Sequence, residues 1–245
     1  MTRITGNYNG KQFHGMRSAF ATDRNYDCPI TGTIYGCLLN EVNALKANAP
    51  RFTEKPYIAP PLAPILYIKP ENTKAGHGAE VTLPPSASHV HVGATLGVII
   101  GKTASSVKIE DALHYVSGYT IVSDLSLPHD SFFRPAVKYR ALDGFNPAGP
   151  WIVNKDAVSD PNNLLIVTTI NNEQTATFHT SQLVRSVEQL ISEVTEFMTL
   201  QQGDCLLVGT PSELPLAKQS DQIDIYIAEI GQLNHAIAAE KKEAG

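Results

Sequence analysis

Two neighbouring segments decide how this chain folds: VGATLGVIIGKTA (Val92–Ala104) and VSGYTIVSDLSLPHDSFFRPAVKYRALDGFNPAGPW (Val116–Trp151). The first continues an alternating pattern that begins at Val90 and becomes continuously apolar by Ile100, which indicates a strand. The second contains a β-branched and aromatic run at Tyr119–Val122 and ends in another strand-like segment. Together with similar short runs further along the chain, these segments predict an α+β fold that is mostly β, with few helices.

The rest of the chain adds an extended passage and one clear helix. Proline-rich residues 55–78 must be extended or looped, with one short strand at Ile65–Ile68. Apolar residues then recur at helical spacing after Thr180 or Ser181, either of which can cap a helix, and Gly203 can end it. The predicted division is an amino-terminal arm over residues 1–55, a main domain over 56–240 and a charged tail over 241–245.

Composition narrows the possible classes of function. The 245 residues are 42% hydrophobic and 18% charged, which is typical of a globular protein, and the formal net charge is −5. Basic residues form no stripe, which argues against a nucleic-acid partner. The three cysteines have no paired spacing and suit a reducing compartment, and no apolar run approaches the length of a membrane span. We therefore expect a cytoplasmic protein with neither a nucleic-acid nor a membrane partner.

Alternation along the first strand places His89, His91, Gly93 and Thr95 on one face. The two imidazoles could bind a metal together with Asp124, because His-x-His with a carboxylate is a known ligand pattern. Histidines on a strand are more often solvated or hydrogen-bonded. Asp124 also has two interpretations, since it could be a ligand or polar anchor in a pocket, or could cap the turn after its strand.

Five blocks of sequence, in this order, resemble the fumarylacetoacetate hydrolase family. They are GTIYGCLLN (32–40), residues 69–78, VGATLGVIIGK (92–102), residues 118–151 and EFMTLQQGDCLLVGTP (196–211). The resemblance covers residues 32–237 and implies the mixed β-sandwich or β-roll of that family. Within the family, VGATLGVIIGKTA and SLPHDSFFRPAVK are most similar to the amino-terminal half of the tandem decarboxylase/isomerases of homoprotocatechuate (4-hydroxyphenylacetate) catabolism.

The resemblance implies a chemistry and also shows where this chain departs from it. In the family, a Glu-x-Glu pair and an Asp hold a divalent cation such as Mg²⁺, which stabilises an enolate formed on the substrate. Gly93 and Thr95 stand at the two Glu positions, and only Asp124 is retained. The positions of the family's acid/base His–Glu dyad hold Ala44 and Ala47. We therefore expect the metal site of this chain to be vestigial and to bind no cation.

Several polar residues remain as candidates for the site that the resemblance implies. Arg140 stands at a family lysine position; it can bind a carboxylate or pair with Asp143, but it cannot titrate as a base near neutral pH. Lys138 could compensate, or could be a solvated surface lysine. The catalytic candidates are Asp124, Arg140 and Lys138, and the substrate-binding candidates are Lys69, Asn72 and Thr210.

The function that the resemblance implies is that of one subunit in a decarboxylase/isomerase of aromatic catabolism. The substrates would be 2-oxo or 2-hydroxy dienoic di- or tricarboxylic acids, and the partner would be a second copy or, in a heterodimer, a homologue with the metal ligands intact. Two other hypotheses stay open. The chain could be an independent, metal-free tautomerase or decarboxylase that uses Arg140 and Lys138, or it could be a non-catalytic scaffolding or binding homologue.

Overall fold

The computed structural model describes residues 2–21, 23–129 and 136–239, and within these ranges the chain forms fifteen strands and three α-helices. The strands are β1 Arg3–Tyr8, β2 Lys11–Met16, β3 Ile34–Leu38, β4 Ile65–Lys69, β5 Lys74–Ala75, β6 Ala79–Val81, β7 His89–Ile100, β8 Val116–Ser126, β9 Asn146–Asn154, β10 Leu165–Ile170, β11 Glu173–His179, β12 Cys205–Leu207, β13 Leu216–Lys218, β14 Gln222–Ile227 and β15 Gly231–Ile237. The helices are α1 Val42–Phe52, α2 Val137–Arg140 and α3 Val187–Phe197. No helix in the described ranges is long and apolar enough to cross a membrane.

Most strands belong to one large sheet. Its order is β2-β1-β9-β8-β7-β12-β3-β4, with β13 added beside β7 and β5 beside β9. A smaller sheet, β11-β10-β14-β15-β6, shares a hydrophobic core with one face of the large sheet and with α3. The mostly-β α+β fold predicted from the sequence is therefore confirmed.

The two long strands β7 and β8 form the centre of the large sheet. They pair in antiparallel fashion from His91, opposite Ser126, to Ile100, opposite Val116. Alternate residues of β7 lie in the core shared with the small sheet, whereas Ile99 belongs to a second cluster on the other face. Burial on both faces explains why the amino-acid pattern of β7 changes from alternating to continuously apolar.

The long helix predicted between Thr180 and Gly203 is shorter than expected. α3 begins at Val187, because Ser186 accepts a hydrogen bond from the backbone of Gln189 while the Gln189 side chain caps the Ser186 N–H in return. The preceding residues form a 3₁₀ turn followed by an irregular segment. Periodicity identified the helix, but the local capping box decides where it begins.

Strands from the predicted amino-terminal arm are hydrogen-bonded into the large sheet. β1 pairs with β9, and β3 pairs with β12 and β4. The boundary at residue 55 stays a prediction about domain organisation, and the predicted tail over residues 241–245 lies outside the described residues.

The large sheet curls until its edge strand β4 approaches β8, although β7, β12 and β3 separate them in the strand order. The contact is made by Tyr67 and Lys69 of β4, whose side chains reach Asp124 of β8. Gly36 on β3 permits this approach, since a β-carbon there would overlap the Tyr67 ring. The curl therefore creates the site, by joining residues that are far apart along the chain.

Candidate functional site

A row of three residues crosses the middle of the large sheet. Gly93 on β7 lies directly opposite Asp124 on β8. The backbone N–H of Leu125 donates to the carbonyl of Phe145 at 3.1 Å, and this register places Asn146 of β9 opposite Asp124 on its other side. Directly opposed residues of neighbouring strands project from the same face. Gly93, Asp124 and Asn146 therefore share one face, on the inner side of the curl.

Asp124 is buried and its carboxylate contacts three side chains. Arg140 donates to Oδ2 from a guanidinium nitrogen at 2.9 Å, and the Tyr67 hydroxyl donates a short hydrogen bond to the same oxygen. The ammonium of Lys69 lies 2.7 Å from Oδ1 as an ion pair. The Arg140 guanidinium also stacks over the Tyr67 ring, 4.7 Å from its centroid. We call Tyr67, Lys69, Asp124 and Arg140 the Asp124 cluster.

Lys69 is the most enclosed member of the Asp124 cluster, with a side chain that is 0% exposed. Besides its ion pair, the ammonium donates to the backbone carbonyls of Leu125, Arg140 and Phe145, each at 2.9 Å. An ammonium has three N–H donors, so all of its hydrogen-bonding capacity is used within the fold. This geometry favours a structural role for Lys69 over contact with a substrate.

The surroundings of the Asp124 cluster favour the ionised carboxylate and the neutral phenol. Burial by itself would raise the pKa of Asp124, but Lys69 and Arg140 outweigh it and hold that pKa below its ordinary value. Burial lowers the pKa of Lys69, although Asp124 opposes the shift. Burial and the adjacent carboxylate raise the pKa of Tyr67 well above its ordinary value, so the phenol stays neutral. The cluster therefore combines one negative charge with two positive charges.

The residues at the family's cation-binding positions do not fit a divalent cation. Mg²⁺ and similar ions require several oxygen ligands, with carboxylates supplying the charge. Gly93 offers no side-chain donor, and the Thr95 hydroxyl donates to the carbonyl of Gly209 at 2.6 Å. The one carboxylate, Asp124, already neutralises two cations. Across the described residues, no group of three or more His, Cys, Asp or Glu side chains is arranged to hold a metal ion.

The two strand histidines do not join Asp124 in a metal-binding group, in contrast to the ligand set considered from the sequence. His89 instead contacts the Ser88 hydroxyl through Nδ1, at 2.8 Å. Burial lowers the pKa of His91 below its ordinary value. A hydrogen bond with the backbone of Leu214 opposes this shift but does not cancel it. His91 is thus an uncharged, half-buried imidazole beside the β13 end of the sheet.

The structure separates the two basic candidates on α2. Arg140 contacts the carboxylate of Asp124 and makes no ion pair with Asp143 among the described residues, so the pairing considered from the sequence is wrong. Lys138 is exposed, with its ammonium 5.1 Å from the centroid of the Tyr139 ring. Only Arg140 is part of the Asp124 cluster, and the catalytic role of Lys138 stays a prediction.

The remaining sequence candidates lie at the margin of the cluster. Asn72 donates to Asp143 at 2.6 Å and to the Ala141 carbonyl at 3.0 Å, which holds the turn after α2. Thr210 lies beside Gly93, because a β-carbon on that glycine would come within 2.9 Å of the threonine methyl group. Substrate binding by Asn72 or Thr210 stays a prediction. Ala44, at a dyad position, lies in the first turn of α1 and has no polar side chain.

Sequence reasoning missed two members of the site. Tyr67 lies two residues before Lys69, so strand alternation alone could have placed both on one face of β4. Asn146 is fully buried, and neither polar atom of its amide has a hydrogen-bond partner among the described residues. Its position opposite Asp124 depends on the pairing of β8 with β9, which no local pattern reveals.

The curled sheet and the position of the retained Asp124 define a class of protein. Residues 33–238 match the fumarylacetoacetate (FAA) hydrolase C-terminal family. The chain belongs to this family. The resemblance found in the sequence is therefore confirmed.

Relatives of known function lie within the same family. A 4-hydroxyphenylacetate degradation bifunctional isomerase/decarboxylase of Salmonella dublin is 38% identical over 215 residues, which are 88% of this chain and 49% of the relative. The chain thus spans about half the length of the curated bifunctional relatives it matches. These curated relatives are enzymes of aromatic catabolism, as the sequence predicted.

Solved structures agree on the fold. A protein from Mycobacterium abscessus superposes with a TM-score of 0.79 at 25% sequence identity. The superposition covers 98% of this chain and 100% of the M. abscessus chain. A maleylpyruvate hydrolase from Sphingobium sp. SYK-6, solved with manganese(II) and pyruvate, superposes with a TM-score of 0.73 at 27% identity, over 88% of this chain and 74% of its own. That structure shows that a family member binds a divalent metal.

Proposed function

We propose that this chain is a subunit of a decarboxylase/isomerase acting on 2-oxo or 2-hydroxy dienoic di- or tricarboxylic acids. Its own metal site is vestigial, and it pairs with a homologue in which the Glu-x-Glu and Asp ligands are intact. The similarity to bifunctional isomerase/decarboxylases of twice its length supports the pairing, because a tandem protein divided into two chains must retain the interface between them.

The observation that carries this proposal is that Asp124 is already paired with two cations. The last carboxylate of the metal site is bound by Lys69, Arg140 and Tyr67. Freeing it for a cation would leave two buried positive charges without a partner, which is strongly unfavourable. The Asp124 cluster therefore supports a role in maintaining the fold, with catalysis assigned to the partner.

The test is to purify the chain alone and together with a homologue in which the Glu-x-Glu and Asp ligands are intact. Calorimetry with Mn²⁺ and an absorbance assay with a conjugated 2-hydroxydienoate then measure binding and turnover. We expect neither from the chain alone, and both from the pair, with one metal per pair. Tight Mn²⁺ binding and turnover by the isolated chain would contradict the proposal.

The metal-free tautomerase or decarboxylase is the second candidate. Arg140 favours this candidate, because the Nε–H of its guanidinium is buried without a hydrogen-bond partner among the described residues. It could donate to the carboxylate of a substrate. The exposed position of Lys138 over Tyr139 opposes it, because the proposed base does not point to the Asp124 cluster. Metal-independent turnover by the chain alone that is lost in Lys138→Ala would support this candidate against the paired subunit.

A further inference from the structure

A large cavity lies at the opposite end of the large sheet from Asp124. It is an open cleft of about 870 Å³ between the β1–β2 hairpin and the ends of the central strands. Ile99 and Ile100 of β7 line it, whereas Gly93 marks the Asp124 cluster on the same strand. At about 3.3 Å per residue, the two sites are roughly 20 Å apart. We call this cavity the Arg3 cleft.

The lining of the Arg3 cleft is positively charged and polar above an apolar floor. Its charged or titratable residues are Arg3 and His14, and no Asp or Glu of the described ranges lines it. Its amides are Gln12, Asn154 and Gln202, and its floor contains Ile99 and Ile152. A cleft without carboxylates is notable in a chain with a formal net charge of −5. The local field therefore favours an anion.

The Arg3 cleft contains hydrogen-bond donors that have no acceptor among the described residues. The Arg3 guanidinium has no ion pair in the described part of the chain. The side-chain oxygen of Asn154 accepts from the backbone of Asp156 at 3.0 Å, which leaves its NH₂ group as a donor. The Ser117 hydroxyl already donates to Ile99 at 3.2 Å. Asp156 lines an adjoining cavity with Arg3 but does not pair with it.

We propose that the Arg3 cleft binds a small organic carboxylate. Arg3 would bind the carboxylate oxygens, the amides of Asn154 and Gln202 would donate to further oxygens, and the isoleucine floor would pack against the carbon chain. The volume lies within the range of roughly 300–1,000 Å³ common for small-ligand pockets. This site is separate from the Asp124 cluster and does not depend on the proposed function.

The test uses the full chain, labelled with ¹⁵N and titrated with succinate, with uncharged succinamide as the matched control ligand. Succinate should shift the amide resonances of Thr5, Gly101 and Asn154, and succinamide should not. Calorimetry should show that Arg3→Gln weakens succinate binding by about ten-fold, as expected when a hydrogen bond to a charged group is lost. Gln202→Ala is a second variant that leaves β1 unchanged and should also weaken binding.

The control variant is Lys46→Gln, which removes an exposed cation on α1 and should leave succinate affinity unchanged. Equal weakening by Lys46→Gln and Arg3→Gln would show general charge attraction and overturn the proposal. Unaltered affinity in both cleft variants, shifts spread over the whole surface, or equal binding of succinamide would overturn it too. So would a crystal structure in which a second copy of the chain fills the cleft.

Discussion

The two ends of the large sheet treat charge in opposite ways. At the Asp124 cluster, a buried carboxylate lies within hydrogen-bond distance of an ammonium, a guanidinium and a phenol. In the Arg3 cleft, donors line an open cavity of about 870 Å³ without a carboxylate to pair with them. One end is closed by its own side chains, and the other leaves its donors to solvent or to a ligand.

This difference shows why the position of a family residue does not by itself mark a binding site. A binding site needs space and polar groups that remain unsatisfied until the ligand arrives. Asp124 keeps the family position, but its charge is already paired with Lys69 and Arg140. Removing one partner of a buried ion pair strongly lowers the free energy of unfolding, because the other charge stays buried without a partner. Substitutions should therefore affect folding at the Asp124 cluster and binding at the Arg3 cleft.

The largest expected effect is that of Asp124→Asn. The substitution keeps the shape of the side chain but leaves the buried charges of Lys69 and Arg140 without their counter-charge. We expect the free energy of unfolding to fall by about 3–5 kcal/mol. Urea denaturation monitored by circular dichroism measures it. Arg3→Gln, the comparison at the open cleft, should change stability by no more than about 0.5 kcal/mol.

A double variant tests the electrostatic origin of that loss. In Asp124→Asn with Lys69→Met, the ammonium that would lack a partner is absent, so the combined loss should be smaller than the sum of the two single losses. Strict additivity would show that the carboxylate and the ammonium are not coupled. A loss below about 1 kcal/mol in Asp124→Asn would remove the contrast between the two ends of the sheet.

Acid sensitivity should also be concentrated at the closed end. His235 is buried on the far side of β8, with Nε2 3.0 Å from the Ser123 hydroxyl. Burial, with a smaller contribution from His77, lowers its pKa to about 3. Between pH 6.5 and 3 the unfolded chain therefore binds a proton that the folded chain does not. This group should leave stability constant above pH 6.5 and reduce it by about 1.4 kcal/mol per pH unit below.

The measurement is a series of urea titrations from pH 7.5 to 4.5, repeated for His235→Gln. The variant lacks the imidazole, so its stability should decrease less steeply with acidification than that of the wild type. Identical slopes would mean that His235 is protonated in the folded protein without cost. Comparing the two chains at each pH removes the contribution of every other group that titrates in this window.

The sequence contained the strands and the family but not the closure of the site. Alternation and β-branched runs predicted β7 and β8, because these patterns depend on local geometry. The ion pair between Lys69 and Asp124 depends on a curl across five strands, which no window of sequence encodes. The same limit applies to Lys138 and Arg140, since α2 is one turn long and its orientation is set by contacts with β8.

A smaller effect is expected when the family carboxylates are restored in Gly93→Glu with Thr95→Glu. A β-carbon at Gly93 would lie 2.7 Å from the carbonyl oxygen of Asp124, so the strands must shift to accept any side chain. The Thr95 hydrogen bond to Gly209 is lost as well. Overpacking of this kind costs about 1–3 kcal/mol. Asp124 remains paired, so no metal site should form.

Thermal unfolding with and without MnCl₂ tests this expectation, because a ligand that binds only the folded chain raises the melting temperature. We expect a lower melting temperature for the double variant and no recovery with Mn²⁺. Gly93→Ala is the matched control, since it introduces the steric overlap without a carboxylate. Recovery of stability by Mn²⁺ in the glutamate variant alone would show that the Asp124 cluster can still open to a cation.

The smallest effect is expected at Lys138, on the rim of the closed end. Within the described residues, its ammonium contacts the face of the Tyr139 ring, 5.1 Å from the centroid, and a cation–π contact at an exposed site contributes little. Lys138→Ala should therefore change the free energy of unfolding by less than about 0.5 kcal/mol. Arg140→Ala is the comparison two residues away, and it should cost far more because Asp124 loses a buried counter-charge. If urea denaturation gave equal losses for both variants, α2 would act as one unit, and the boundary of the Asp124 cluster would have to be extended to the surface.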